Sequence, residues 1–396
     1  MDNEQLPKGY KNTEVGVIPE DWEVKEFGQI CYPSKSRMNP ITSDSSYKCI
    51  ELEHLSQGTG FLLGYANSKD LKSQKSFFEE GDVLFGKLRP YLRKFYFADF
   101  KGVCTTEIWV LKPEKYTSNR FLFHLVRSDK IVEAANLSTG TKMPRAEWKT
   151  VSETKIPVPT IEEQTAIATA LSDADALINS LEKLIAKKRN IKQGAMQQLL
   201  KPKEGWEVKK LGEISEMFSG GTPLTTNANY YNGGIPWVVI ADITKAGKYI
   251  AETEKTISNE GLLNSSAKLF RSGVLLFAMY ASIGKTTIAL MDTTCNQAIL
   301  GIQPYSINKE YLYYFLSFNE RKFATMGQTG TQSNLSKDMV QKIEIPYPIE
   351  EEQTYIATIL SDMDAEIAAL ETKLEKYKKV KLGMMQNLLT GKIRLI

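Results

Sequence analysis

Residues 156–178 read IPVPTIEEQTAIATALSDADALI, and residues 345–367 read IPYPIEEEQTYIATILSDMDAEI. At a constant offset of 189, segments 155–200 and 344–389 align without a gap and agree at 25 of 46 positions. Chance does not supply that. The period is a whole domain plus a helix, too long for a solenoid, so the chain is a duplication. Weaker echoes run through the rest of each half. WEVKEFGQI at 22–30 matches WEVKKLGEI at 206–214, GDVLF at 81–85 resembles GVLLF at 273–277, and TGT at 139–141 recurs at 329–331. Between these echoes the halves diverge, so a frame was kept while its contents changed.

The repeated segment has helical periodicity. Ile167, Leu171, Ala174, Ile178, Leu181 and Ile185 step by four and three, and Ile356, Leu360, Met363, Ile367, Leu370 and Leu374 repeat the rhythm. That is a coiled-coil seam, and its candidate residues are Ile167, Leu171, Ile178, Leu181, Ile356, Leu360, Ile367 and Leu370. Thr160 and Glu163 have the spacing of a capping box, and Glu350, Glu351 and Glu352 stand where the positive end of the helix dipole would be. Lys187, Lys188, Arg189 and Lys192, like Lys376, Lys378, Lys379 and Lys381, load the C-terminal halves with cations on what reads as a solvated face. A helix over about 161–200 would span on the order of 60 Å. Each helix must return the chain to the next domain, which favours an antiparallel pair. The expected fold class is therefore α+β: two globular mixed domains separated by two long helices in an antiparallel coiled coil, with a pseudo-twofold internal repeat. The expected boundaries are 1–155 (N-terminal segment and first domain), 156–203 (central helix), 204–345 (second domain) and 346–396 (C-terminal helix). Because VIPEDWEV near the start matches KPKEGWEV after the first helix, the order is almost circular, and residues 1–21 are expected beside the C-terminus.

Composition narrows the function classes. A chain of 396 residues with 42% hydrophobic and 24% charged residues is ordinary for a soluble protein of two or three units. It shows no apolar run near the roughly 20 residues that cross a bilayer, and its polar start MDNEQLPKGYKNTEVG is unlike a signal peptide; a cytoplasmic location is expected. Cys31, Cys49, Cys104, Cys295, His54 and His124 stand apart, without the spacing of a zinc site, and buried free thiols are the expectation. A net charge of +3 does not by itself announce a nucleic-acid partner. Any basic surface must be local.

Each globular segment shows short β-like runs: KCIELEHL, GDVLFG, KFYFADF and EIWVLKP in the first, IPWVVIADI, GVLLFAMY, KTTIALM and QAILGIQP in the second. Short helical stretches, SNRFLFHLVRS and NKEYLYYFLSF, follow. The stretch GKLRPYLRKFYF at 86–97 interleaves Lys87, Arg89, Arg93 and Lys94 with Tyr91, Phe95, Tyr96 and Phe97. Its cations could neutralise phosphates or read guanine edges, or they could be the solvated face of a strand with aromatic core residues. GKTT at 284–287 is not a P-loop, since Met279 stands where that motif needs glycine. The loop SGGTPLTTNANYYNGGIPW has the size and amide content of a recognition loop. No dinucleotide loop or H-E-x-x-H occurs, NPIT at 39–42 only grazes an amino-methylase motif, and Glu23-x-Lys25 and Glu207-x-Lys209 are better explained as frame than as nuclease residues. No active site is expected.

Taken together, IPEDWEVKEFGQI, GDVLFGKLRPYLRKFYFA, GGTPLTTNANYYNGGIPWV, the doubled EEQTxIATxLSDxDA segments and the terminal LLTGKIRL resemble the specificity subunits of type I restriction–modification systems, over essentially the whole chain. The resemblance implies two target recognition domains, each reading one half of an asymmetric bipartite site in double-stranded DNA. It also implies that the helices act as a spacer and docking surface for methyltransferase subunits, two of them, with restriction subunits as further partners. Catalysis, S-adenosylmethionine, ATP and Mg would then belong to the partners and not to this chain. Half-sites roughly 10 bp apart would present one duplex face. The candidate DNA-binding residues are Lys87, Arg89, Tyr91, Arg93, Lys94, Lys142 and Arg145 in the first half, and Thr222, Tyr280, Ser282, Lys285, Thr331, Gln332 and Asn334 in the second. Among them, Lys87, Arg89, Arg93, Lys94 and Lys285 are expected on phosphates and polar residues of the divergent loops on bases. One departure stands out: residues 204–345 carry thirteen cations against thirteen carboxylates, so the second domain is neutral. The alternative is a coiled-coil scaffold whose two domains bind proteins.

Overall fold

The computed structural model describes residues 6–43, 45–137, 144–326 and 334–395. Two helices of 39 residues, Ile161–Leu199 and Glu350–Leu388, stand where the periodicity places them. The chain divides into two compact units, Met1–Glu182 with Thr372–Ile396, and Lys183–Glu371, so each unit holds half of each long helix.

In the first unit, a four-stranded antiparallel sheet has the order Phe95–Phe97, Val83–Gly86, Ile108–Pro113, Cys31–Pro33. A five-stranded mixed sheet has the order Arg37–Met38, Lys75–Phe78, Gly102–Thr105, Lys48–Ile50, Ala66–Asn67. In the second unit, a five-stranded sheet has the order Ser215–Ser219, Ile299–Pro304, Leu275–Ala278, Thr286–Ala289, Tyr249–Ile250, and a three-stranded sheet places Tyr231–Val238 between Thr256–Ile257 and Thr294–Cys295. Each unit is thus α+β, with alternating strand residues feeding one core and helices Asn119–Val126 or Lys309–Phe318 packed on it. The four cysteines are buried free thiols. Among the described residues, no helix is long and apolar enough to cross a membrane.

Two expected strands turn into helix at the same place in each unit. KCIELEHL is strand only over Lys48–Ile50, then a 3-10 turn over Leu52–His54; IPWVVIADI is strand through Val238, then helix Ile240–Lys245. The reason is local capping. The His54 ring accepts the Glu51 N–H at 3.0 Å, and the Asp242 carboxylate accepts the Val239 N–H at 2.9 Å, closing a first turn that β-propensity alone opposes.

The repeated motifs are ties within the frame. WEVK pairs with IPxP as an antiparallel strand pair in both units, Glu23–Glu26 with Lys155–Val158 and Glu207–Lys210 with Glu344–Tyr347. Glu23–Lys25 and Glu207–Lys209 are ion pairs on these strands, at 2.7 and 3.2 Å, as a frame role requires. Trp22 donates its indole N–H to Glu163 at 2.8 Å, and Trp206 donates to Glu352 at 2.8 Å. The capping box at Thr160 is therefore half made: the Thr160 hydroxyl accepts the Glu163 N–H at 3.4 Å, but the Glu163 carboxylate turns away into the core toward Trp22. The next residue of the motif, Gln164, accepts the Ser118 N–H at 2.9 Å and donates to the carbonyls of Pro159 and Tyr116; Gln353 accepts the Asn308 N–H at 2.7 Å and donates to Pro348. Ser118 and Asn308 are the N-caps of the short helices on each domain, so the glutamine staples long helix to short helix. In the first unit Arg394 binds both Asp21 and Glu163, which brings the described start of the chain to its end, as the near-circular order predicts.

Within each unit the two helix halves run antiparallel. Asp175 accepts from Lys381, and Glu182 from Lys378 at 3.2 Å, in the first; Lys192 donates to Asp364, and Arg189 to Glu371 at 2.5 Å, in the second. At the offset of 189 these are the same two bonds with donor and acceptor helices exchanged. The cations expected on a solvated face thus include four that hold the pair together. Seam residues Ile167, Leu171, Ile178, Leu181, Ile356, Leu360 and Ile367 are buried and Leu370 half-buried; a fully buried residue of this size contributes about 1.5–3 kcal/mol. Ile167, Leu171, Ile356 and Leu360 also lie in the globular cores, so the seam is continuous with them.

Candidate nucleic-acid interface

The turn after Val83–Gly86 in the first unit and the turn after Leu275–Ala278 in the second are built on the same hydrogen bonds. Lys87 N–H donates to the Glu107 carbonyl at 2.9 Å, Ala146 N–H to the Lys87 carbonyl at 2.8 Å, and Gly86 N–H to the Lys94 carbonyl at 2.9 Å. In the second unit Met279 N–H donates to Ala298 at 2.9 Å, Leu335 N–H to Met279 at 3.0 Å, and Ala278 N–H to Lys285 at 2.9 Å. Two residues on, both chains enter the left-handed region, at Arg89 (φ 52°) and Ala281 (φ 56°). This places Lys87 with Met279, Arg89 with Ala281, Lys94 with Lys285, Glu107 with Ala298 and Arg145 with Asn334.

The candidate cations of the first turn separate into two groups. Lys94 donates its ammonium to the Leu52 carbonyl at 2.5 Å, and Lys285 donates to the Thr244 carbonyl at 2.9 Å. Both tie down the short helical turn described above. Arg93, also left-handed, is bonded to Asp129 and to the Arg127 carbonyl. These three groups carry structural bonds where phosphate contacts were expected. Arg89 is exposed and has no side-chain partner among the described residues. Arg145 lies against it, with Arg89 N–H donating to the Pro144 carbonyl at 2.8 Å and a bridge joining Leu88 and Arg145. Its guanidinium reaches Glu107 at 2.9 Å. Lys87 is half-buried; burial, reinforced by Arg145 and Arg37 and opposed by Glu107, pulls its ammonium below the usual lysine range. Lys87, Arg89 and Arg145 thus form one cationic surface, and Tyr91 is exposed beside it. Phe95 and Tyr96 are core, as the strand alternative allowed.

In the second unit, Tyr280 is exposed, Ser282 shares a hydrogen bond with Thr244 at 3.2 Å, and Asn334 is exposed beside Leu335. Thr222 is half-buried and donates to Gln297. The loop it belongs to is packed: a Cβ on Gly220 would stand 2.2 Å from the Asn296 carbonyl and one on Gly221 2.3 Å from the Ala267 nitrogen. Trp237 donates its indole N–H to Gly221 at 3.0 Å. The glycines of SGGTP serve close backbone crossing. Thr286 and Thr287 of GKTT are buried in a strand. Lys142, Thr331 and Gln332 lie outside the described residues.

Three cations were not found from sequence. Arg37 is exposed and donates to Ser76 at 2.8 Å on the same side as Lys87. Lys268 and Lys337 stand over the partly exposed Phe218 ring, at 4.0 and 5.8 Å from its centre. None sits in a basic run, and they join their neighbours only through the fold.

The family model for the type I restriction modification DNA specificity domain matches residues 19–193 and again 203–379. The chain is 26% identical over 427 residues to the putative type I restriction enzyme MjaX specificity subunit of Methanocaldococcus jannaschii, covering 98% of this chain and 97% of the relative. It is 25% identical over 418 residues to the MjaVIII specificity subunit of the same organism, covering 95% and 94%. Among solved structures, the type I restriction–modification S subunit from M. genitalium superposes with TM-score 0.61 at 16% identity, covering 93% of this chain and 96% of that one. A chain solved in work on complex assembly and conformational transition of the type I restriction–modification system superposes with TM-score 0.64 at 23% identity, covering 95% and 99%. The two matched segments favour DNA over the protein-scaffold alternative, and the chain belongs to the family of type I restriction–modification specificity subunits, carrying two DNA specificity domains.

Proposed function

We propose that the two domains read the two unlike halves of an asymmetric bipartite site in double-stranded DNA, and that the paired helices set the distance between half-sites and dock methyltransferase subunits. The observation that carries this is the turn built twice on the same hydrogen bonds with different side chains: Lys87, Arg89 and Arg145 in one domain, Met279, Ala281 and Asn334 in the other. A shared scaffold with divergent side chains is what two readers of different sequences need. In this reading the chain positions DNA and does no chemistry; S-adenosylmethionine, ATP and Mg are bound by methyltransferase and restriction subunits, and the complex works in the cytoplasm.

Selection from a random duplex pool, with the chain co-expressed with its methyltransferase subunits, tests it. The expected product is two short unlike motifs at a fixed gap. A single continuous motif, a palindrome, or no enrichment would reject the bipartite reading.

A further inference from the structure

We propose that the two equivalent turns do different work on the duplex: in the first domain Arg89 and Arg145 hold phosphates, whereas in the second Tyr280 and Asn334 contact base edges. This rests on the bipartite reading above.

The two turns share three hydrogen bonds and a left-handed residue at the same place, the first being one residue longer, and the difference that matters lies in the groups they present. The first offers Lys87 and Arg145 around one carboxylate, Glu107, with Arg89 beside Arg145 and Arg37 adjoining. Arg89 itself takes the left-handed conformation, is exposed, and is unengaged among the described residues. The Arg145–Glu107 pair, with Arg145 more than half exposed, is weak enough to yield to a phosphate. Clustered cations suit the regularly spaced charges of a DNA backbone. At the corresponding positions the second turn offers Met279, Ala281 and Asn334, opposite Ala298, and its one cation, Lys285, is bonded to Thr244. Within Met279–Lys285 a phosphate would meet no cation other than this bonded one. What remains is the Tyr280 hydroxyl and the Asn334 amide, both exposed and without a side-chain hydrogen-bond partner among the described residues. A carboxamide pairs with adenine through donor and acceptor together. Phosphate neutralisation in that domain falls instead to Lys268 and Lys337 around Phe218.

The test uses the assembled methyltransferase complex and the duplex that the wild-type complex selects, with affinity measured over a series of KCl concentrations and on duplexes altered at single base pairs. Arg89→Ala with Arg145→Ala should lower the slope of log affinity against log salt by about 2 and leave base preference at both half-sites unchanged. Asn334→Ala with Tyr280→Phe should leave the slope unchanged and relax preference in the second half-site about tenfold. Ala281→Arg, at a backbone angle that Arg89 already adopts, should raise the slope by about 1. An unchanged slope in the arginine variant, lost preference at one base pair of the first half-site in that variant, or a lowered slope in the Asn334 variant would each overturn the division of work. A wild-type complex without preference for any bipartite duplex would instead remove the reading beneath it.

Discussion

Glu163 and Glu352 occupy the same place in the repeat and face different surroundings. Glu163 is fully buried, accepting from Trp22 at 2.8 Å and from Arg394 at 2.7 Å; Glu352 accepts from Trp206 at 2.8 Å and Lys203 at 2.6 Å with its side chain 29% exposed. Removing the first carboxylate strands an indole N–H and part of a guanidinium where water does not replace it, so Glu163→Ala should cost about 3 kcal/mol. Glu352→Ala, open to water, should cost about 1 kcal/mol. Urea denaturation of the two variants checks the order, and equal losses would show that burial at 163 does not matter. Three-residue spacing suggested a capping box for Glu163, because its tryptophan lies 141 residues away. The same limit applies to the cations of GKLRPYLRK. In sequence Arg89, Arg93 and Lys94 are alike; the partners that separate them, Asp129 and the Leu52 carbonyl, lie 36 and 42 residues away.

At the scale of elements, the long helices were legible because a buried stripe must recur every three or four residues, while their ion pairs needed the antiparallel register to be seen. Asp175 joins three elements. It accepts from Arg127 at 2.6 Å, whose side chain is 4% exposed, and from Lys381 of the other long helix. Burial works to raise the Asp175 pKa, but Arg127 and Lys381 outweigh it and hold the carboxyl below its ordinary 3.8. A folded-state pKa below the unfolded one means that the charged form stabilises the fold. That contribution is complete above the ordinary value and is lost as the pH falls through the lower folded value. Asp175→Asn keeps the shape but leaves the buried Arg127 and the partly buried Lys381 without their counter-charge, and should cost about 3 kcal/mol at neutral pH. The gap between variant and parent should narrow below about pH 4. Guanidinium titrations at neutral and acid pH would show both effects, and a gap that stays constant into acid would mean that the carboxylate charge is not what stabilises this junction.

For the molecule as a whole, an offset of 189 over 46 positions was enough to declare duplication, and the frame followed from it. Strand order within each domain did not follow, since parallel pairings such as Gly102–Thr105 with Lys48–Ile50 join segments separated by intervening strands. The helices carry the proposed spacing, and their length can be changed without disturbing what flanks them. Deleting residues 180–186 together with 369–375 removes the same seven positions from both copies. It retains Asp175, Lys192, Asp364 and Lys381, which make one repeated ion pair in each unit, and removes Glu182 and Glu371, the acceptors of the other. Seven residues are nearly two turns, so each buried stripe stays in phase to within about 20°, and each helix shortens by about 10 Å. Methylated sites mapped in cells carrying this variant should keep both half-site sequences and close the gap between them by about three base pairs, at about 3.4 Å each. The turns proposed to contact DNA are untouched by the deletion. Altered half-sites at the old spacing would therefore mean that the helices serve subunit docking alone and that the distance is set elsewhere.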